Sequence, residues 1–259
     1  MRFSKWHGLG NDYLLVERAD IGSPLDVPLV RRLCDYHLGI GSDGVLEIVA
    51  VNGTRAEIVI WNPDGSQAEM SGNGTRIAAR WLARRADASD VHIAVGLREV
   101  TARVRDGLEV ETDMGRVAVG LSETLEVDAT QLEFTPVSVG NPHAVIVREP
   151  DRAELLRLGP LVENHPRFPD RTNVQLVRID SPRELTAAVW ERGAGETLSS
   201  GTSSVAAAAA AVANGWSQSP VTVHLAGGDL LVELEGGRAR LAGPAQEICS
   251  VELSDEFEL

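Results

Sequence analysis

Two short runs, Ser71-Gly72-Asn73-Gly74 and Ser200-Gly201-Thr202, place a serine and small residues just ahead of stretches that read as helices. A helix start leaves backbone N–H groups without intrahelical partners and carries the positive end of the helix dipole, and glycine lets an anion approach the backbone. Gly72, Asn73, Gly201 and Thr202 therefore fit capture of a carboxylate or phosphate. Capping by serine explains either run alone, whereas two matching runs point to a shared ligand. Serine as nucleophile fits poorly, since neither run is G-x-S-x-G and no strong Ser-His-Asp set is visible. Asn11 and Asn141, each following a glycine, read equally well as turn formers.

Composition removes several other chemistries. Lys5 is the only lysine, and it lies in an apparent N-terminal strand; pyridoxal phosphate enzymes hold their cofactor as a lysine Schiff base, so that chemistry is nearly excluded. The two cysteines, Cys34 and Cys249, have no metal-ligand spacing, and no metal site is expected. A formal net charge of −14 opposes a general grip on nucleic acid. The longest purely apolar run, Val205 to Ala213, is too short to span a bilayer, and the start Met1-Arg2-Phe3-Ser4-Lys5 lacks a signal-peptide core. The expectation is a cytoplasmic protein with no membrane partner.

The elements that must position these residues come in two copies. Gly8-Leu9-Gly10-Asn11 resembles Ser138-Val139-Gly140-Asn141 at an offset of 130 residues, Trp61 matches Trp190 at 129, and Ser71 and Ser200 are again 129 apart. In each copy a β-rich run, Arg55 to Trp61 or Leu185 to Trp190, leads into a turn, Asn62 to Gly65 or Arg192 to Gly195. A helix follows, near Gly72 to Ala83 or from near Gly201 to Val212, the second ended by Asn214-Gly215. That second helix is Ala and Val on every face, so it is expected to be buried all round, as if wrapped by a sheet. Alternating strands come next, Val91 to Val95 with Arg98 to Arg105, and Val221 to Leu225 with Leu230 to Leu234. The boundary is expected in the polar stretch Gly115 to Asp128, giving domains 1–117 and 118–259, with the last strand free to return to the first.

The blocks His7-Gly8-Leu9-Gly10-Asn11-Asp12, Trp61-Asn62-Pro63-Asp64-Gly65-Ser66, Ala68 to Arg76, Gly140-Asn141-Pro142-His143, and Glu191 to Thr197 with Ser200-Gly201-Thr202 fall in order across the chain. They resemble the signature blocks of diaminopimelate epimerase. The resemblance implies a mixed α/β (α+β) fold of two pseudo-symmetric domains, each a β-sheet rolled around a central helix, with the active site in the cleft between them. It implies cofactor-independent inversion at an α-carbon, interconverting LL- and meso-2,6-diaminopimelate for lysine and cell-wall synthesis, and a homodimer. By the same resemblance His143 lines the site, Glu191 and Arg192 recognise the distal ammonium and carboxylate, and Asn62 and Asn173 bind that distal group. Asn11 and Asn141 belong to the same substrate-binding set.

The sequence departs from the family at the centre of the reaction. Family members carry a catalytic cysteine at the positions held here by Ser71 and Ser200, one working as thiolate base and the other as thiol acid. A thiol starts near pKa 8.5 and is brought into range by a helix N-terminus, while a serine hydroxyl is far less acidic and the dipole contributes about one pKa unit. Any activity must recruit a neighbour, with His143 and Glu191 the candidates by motif. Several readings stay open: an epimerase impaired by or adapted to serine, an engineered Cys-to-Ser form, a catalytically silent amino-acid-binding paralogue, and a racemase or lyase for another amino acid. Ile77, where the family often has a further cysteine, leans slightly towards a natural cysteine-poor lineage.

Overall fold

The computed structural model describes residues 1–21, 24–105, 107–128 and 130–257. The chain divides into two compact units, Met1–Thr112 with Gly243–Leu259, and Asp113–Ala242. Among the described residues five helices, α1 (Arg18–Ile21), α2 (Val27–Cys34), α3 (Gly72–Ala86), α4 (Arg152–Glu163) and α5 (Gly201–Ala213), are set among short strands. None of the described helices is long and apolar enough to cross a membrane.

Each unit is built on the same ladder. In the first, Arg2–Gly8 pairs antiparallel with Asn11–Glu17, which runs parallel to Val45–Asn52; that strand pairs antiparallel with Arg55–Trp61, which runs parallel to Asp90–Val95 and on antiparallel to Arg98–Val104. In the second, Thr130–Ser138, Pro142–Val147, Asn173–Ser181, Glu184–Glu191, Val221–Leu225 and Gly228–Glu235 repeat the alternation of antiparallel and parallel pairs. The duplication read from three sequence matches is thus a duplication of topology. Gln246–Glu252 returns to pair with Arg2–Gly8 in the first unit.

The central strands of each unit are covered on two faces, which explains their lack of polar alternation, whereas Arg98–Val104 and Gly228–Glu235 alternate buried with exposed residues. Side chains alternate across a strand. On Asn11–Glu17, Tyr13 and Leu15 therefore join Ile77, Ala78 and Leu82 of α3 in one core, while Leu14 and Val16 join Leu29, Val30 and Leu33 of α2 in another. In the second unit Ala144, Ile146, Val174 and Leu176 pack under Leu155, Leu158 and Val162 of α4. The alternate residues, His143, Asn173 and Gln175, fall on the other face.

Helix α3 starts because Ser71 is extended (φ −139°) and its Oγ accepts from the Gly74 N–H, and it stops at Asp87, which is left-handed at φ 48° with its N–H on the Ala83 carbonyl. Arg84 and Arg85 close its exposed side at the negative end of the dipole. Helix α5 has no solvent face over most of its length: Val205 through Ala211 are all buried, and strands of the second sheet surround it. Alanine brings those strands close without side-chain entropy loss. Gly215, at φ +74°, follows its last turn as the sequence signals.

Candidate active site

In the first unit the ladder delivers Tyr13 to the start of α3. Its hydroxyl lies 3.0 Å from Ser71 Oγ, which also accepts from Gly74 N at 3.0 Å. Ser71 is thereby fixed by a phenol and a backbone amide. Asn73 is buried and donates from Nδ2 to Asn11 Oδ1 at 3.1 Å; Asn11 in turn donates to Asp43 Oδ2 at 3.0 Å. Asp43 also accepts from Asp12 N, and Asp12 pairs with Lys5 at 2.7 Å. The far end of the amide chain is Arg76, wholly buried, which donates from Nη2 to Asn73 Oδ1 and from Nη1 to the Gly72 carbonyl at 3.2 Å. Asn62 sits in the turn after Arg55–Trp61 and donates to Ser66 Oγ at 2.9 Å. That turn is anchored through Trp61, whose Nε1 donates to Glu47, a fully buried carboxylate also bound by Arg18 and the Leu25 N–H.

In the second unit Ser200 is the extended N-cap of α5 (φ −144°), but its side chain makes no cap hydrogen bond. It hydrogen-bonds Glu191 instead, and burial pushes the Glu191 carboxyl up against the opposing effect of that bond. Buried His143 is held between Asn141, 3.0 Å from Nε2, and Gln175, whose Nε2 lies 3.0 Å from Nδ1 and also donates to Ser203 Oγ at 3.0 Å. An amide donor on Nδ1 fixes the proton on Nε2, which then donates to Asn141 Oδ1. Burial, with Arg192 nearby, lowers the His143 pKa to about 3. The ring is therefore neutral at physiological pH.

Asn173 faces the backbone: Nδ2 donates to the Pro142 carbonyl at 2.8 Å and Oδ1 accepts the Arg192 N–H at 3.0 Å. It ties the Asn141-Pro142-His143 segment to the Glu191-Arg192 turn. Glu163 of α4 braces the same turn, accepting from Gly193 N at 2.9 Å and Trp190 Nε1 at 2.7 Å. The Arg192 guanidinium is exposed and donates to the Asp170 carbonyl at 3.1 Å. Asn141, His143, Arg192, Val119, Arg167 and Phe168 contribute to the lining of an open cavity of about 610 Å³ in this unit.

Within each unit part of the candidate set lies at one helix start, Asn11, Ser71, Gly72 and Asn73 at α3, and Glu191, Ser200, Gly201 and Thr202 at α5, whereas Asn62 stays in its own turn and Asn141, His143, Asn173 and Arg192 are joined to one another. Sequence reasoning did not single out Tyr13, Arg76, Gln175, Ser203, Glu47 or Glu163. A signal existed for Tyr13, which occupies in the first copy the place of His143 in the second. None existed for Glu47 and Glu163, whose partners are set by packing. Among the described residues no group of three or more His, Cys, Asp or Glu is placed to hold a metal.

The family model for diaminopimelate epimerase matches residues 3–119 and 135–246. The diaminopimelate epimerase of Pelotomaculum thermopropionicum is 40% identical over 275 residues, covering 97% of this chain and 98% of that protein. That of Moorella thermoacetica is 40% identical over 271 residues, covering 96% and 97%. Among solved structures, a hydroxyproline epimerase from Agrobacterium vitis with bound trans-4-hydroxy-L-proline superposes with a TM-score of 0.71 at 16% identity, over 97% of this chain and 91% of that one. A structure described as a predicted epimerase from Pseudomonas aeruginosa gives 0.71 at 18% identity, over 97% and 98%; at such identities these two speak for the fold alone. With relatives this similar over nearly its whole length, the chain belongs to the diaminopimelate epimerase family of pyridoxal-independent isomerases.

Proposed function

We propose that this chain binds 2,6-diaminopimelate and exchanges its α-proton slowly, as an epimerase weakened by serine at both family cysteine positions. The observation that carries the reading is the retained recognition turn, in which Asn173 and Glu163 fix the backbone of Arg192 and Gly193 while Glu191 meets Ser200. A smaller substrate would leave those charges without a partner. In each unit by itself the first-turn N–H groups, at Gly72 and Asn73 of α3 and at Gly201 and Thr202 of α5, suit a carboxylate, since helix geometry leaves such groups without intrahelical acceptors.

Proton transfer is where the chain differs. Ser71 has a phenol beside it and Ser200 a carboxylate. Glu191, with its carboxyl raised towards the protonated form, is the better-matched acid, and Ser200 passes the proton between it and the substrate. His143 is neutral and boxed in by two amides, which suits it to shaping the pocket. General acid–base catalysis contributes about 10²–10⁴-fold per well-matched group. Deuterium wash-in at the α-carbon of LL-diaminopimelate should accordingly be slow in the unmodified protein and rise by at least ~10²-fold when Ser71→Cys and Ser200→Cys are combined, with much smaller gains from either alone. Exchange already at ordinary enzymatic rates, with no gain from the pair, would overturn the thiol argument. The hydroxyls at both positions also suit a silent binder, which takes precedence if the double variant binds diaminopimelate tightly but exchanges nothing.

A further inference from the structure

The two helix starts carry the same serine but opposite electrostatics. Arg76 lies within the first turns of α3, with none of its side chain exposed. Its donors reach only neutral acceptors, the Gly72 carbonyl and Asn73 Oδ1, and its Nε is unpartnered; no carboxylate pairs with it among the described residues. Its nearest countercharge by hydrogen bonding is Asp43, two asparagine amides away. The residue at the duplicated position, 129 further on, is Val205, fully buried in α5. The second start therefore has no buried cation at the matching position. It has instead the part-buried carboxyl of Glu191 on Ser200.

A buried charge without a paired carboxylate is costly to keep. Its field is correspondingly unspent, and it adds to the N-terminal end of the α3 dipole. We propose that Arg76 is the positioning residue that sets the polarity of the two serine positions, making position 71 the one that favours an anion and leaving position 200 the one that favours a neutral acid. The proposal rests on the epimerase reading for its meaning, since a two-base inversion needs one group charged and the other protonated at the start of each turnover. Its test needs neither substrate nor activity.

The other ionisable groups on the segments that lead to position 71 are Lys5 and His7 on Arg2–Gly8, Asp12 and Tyr13 on Asn11–Glu17, exposed Glu69 two residues before it, and Asp43 with Tyr36 beyond Asp12. Lys5 and Asp12 offset each other at 2.7 Å, so changing Arg76 isolates its own contribution. Around position 200 they are Glu191, Arg192 and the neutral His143 behind Gln175 and Ser203. Arg76 follows Ser71 by five residues, about 7.5 Å along the helix, and a unit charge at that range, at an effective dielectric constant near 20, moves a pKa by on the order of one to two units.

The experiment is peptide-resolved alkylation with iodoacetamide as a function of pH, on Ser71→Cys and Ser200→Cys proteins, with buried Cys34 and exposed Cys249 as internal references. The thiol introduced at position 71 should titrate at least one unit below the thiol introduced at position 200. Adding Arg76→Gln should raise the former by about one to two units and leave the latter unchanged, while Arg76→Lys should preserve the low value. Equal midpoints in the two single variants, a lower midpoint at position 200, or no response to Arg76→Gln would each overturn the proposal. If circular dichroism shows Arg76→Gln to be unfolded, the comparison of the two single variants and the Arg76→Lys result decide it.

Discussion

His143 ties the stability of the second unit to pH with a sign that follows from its burial. The ring is 1% exposed, hydrogen-bonded on both nitrogens in its neutral form, and has a pKa near 3, whereas in the unfolded chain it titrates at about 6.5. Between those values the unfolded state binds one more proton than the native state, so unfolding free energy falls as pH falls, at about 1.4 kcal/mol per unit. Integrated from pH 7 to pH 5, this amounts to about 2 kcal/mol, with nearly all of it lost below pH 6.5. Glu191 works in the opposite direction, because its raised carboxyl takes up a proton in the native state first. Urea unfolding of the unmodified protein and of His143→Gln, each at pH 7 and pH 5, separates the contributions: the glutamine variant is less stable at pH 7 but should lose about 2 kcal/mol less on acidification. Identical losses in the two proteins would refute the assignment of a neutral, desolvated imidazole at this position.

Three further outcomes follow from the geometry. Ser71→Ala should cost about 1 kcal/mol in thermal or urea unfolding, because it removes a cap to Gly74 N, while Ser200→Ala should cost less through capping, since its hydroxyl caps nothing. Glu47→Ala should destabilise by about 3–5 kcal/mol, leaving Arg18, the Leu25 N–H and Trp61 Nε1 without their shared acceptor; a change below 1 kcal/mol would mean that water replaces the carboxylate. Arg192→Ala should weaken calorimetric binding of diaminopimelate by roughly ten- to a hundredfold, the range of one charged hydrogen bond, and leave a monocarboxylic amino acid little affected. Equal losses for both ligands would make Arg192 structural.

Much of the local structure is legible in the order of residue types. The repeat offsets, the turn at Asn62 to Gly65, the Ser-Gly helix starts and the Asn214-Gly215 stop all depend on neighbours a few residues away, and such short-range chemistry is written in the residue types. The all-Ala and Val α5 announced its own burial, because a helix apolar on every face has no stable place in water. Helices α2 and α4 were not singled out: their apolar positions read plausibly only once a second face of the sheet needs covering. What the polar side chains do is set by packing between distant segments. Asn173 turned out to bind two backbone groups, Ser71 and Ser200 acquired a phenol and a carboxyl respectively, and Arg76 and Glu47 became buried charges. Those outcomes depend on which residues from distant strands meet at one helix start, and on how far water is excluded there. Periodicity marks which face of an element is buried, whereas hydrogen-bond partners and desolvation are properties of the packed whole.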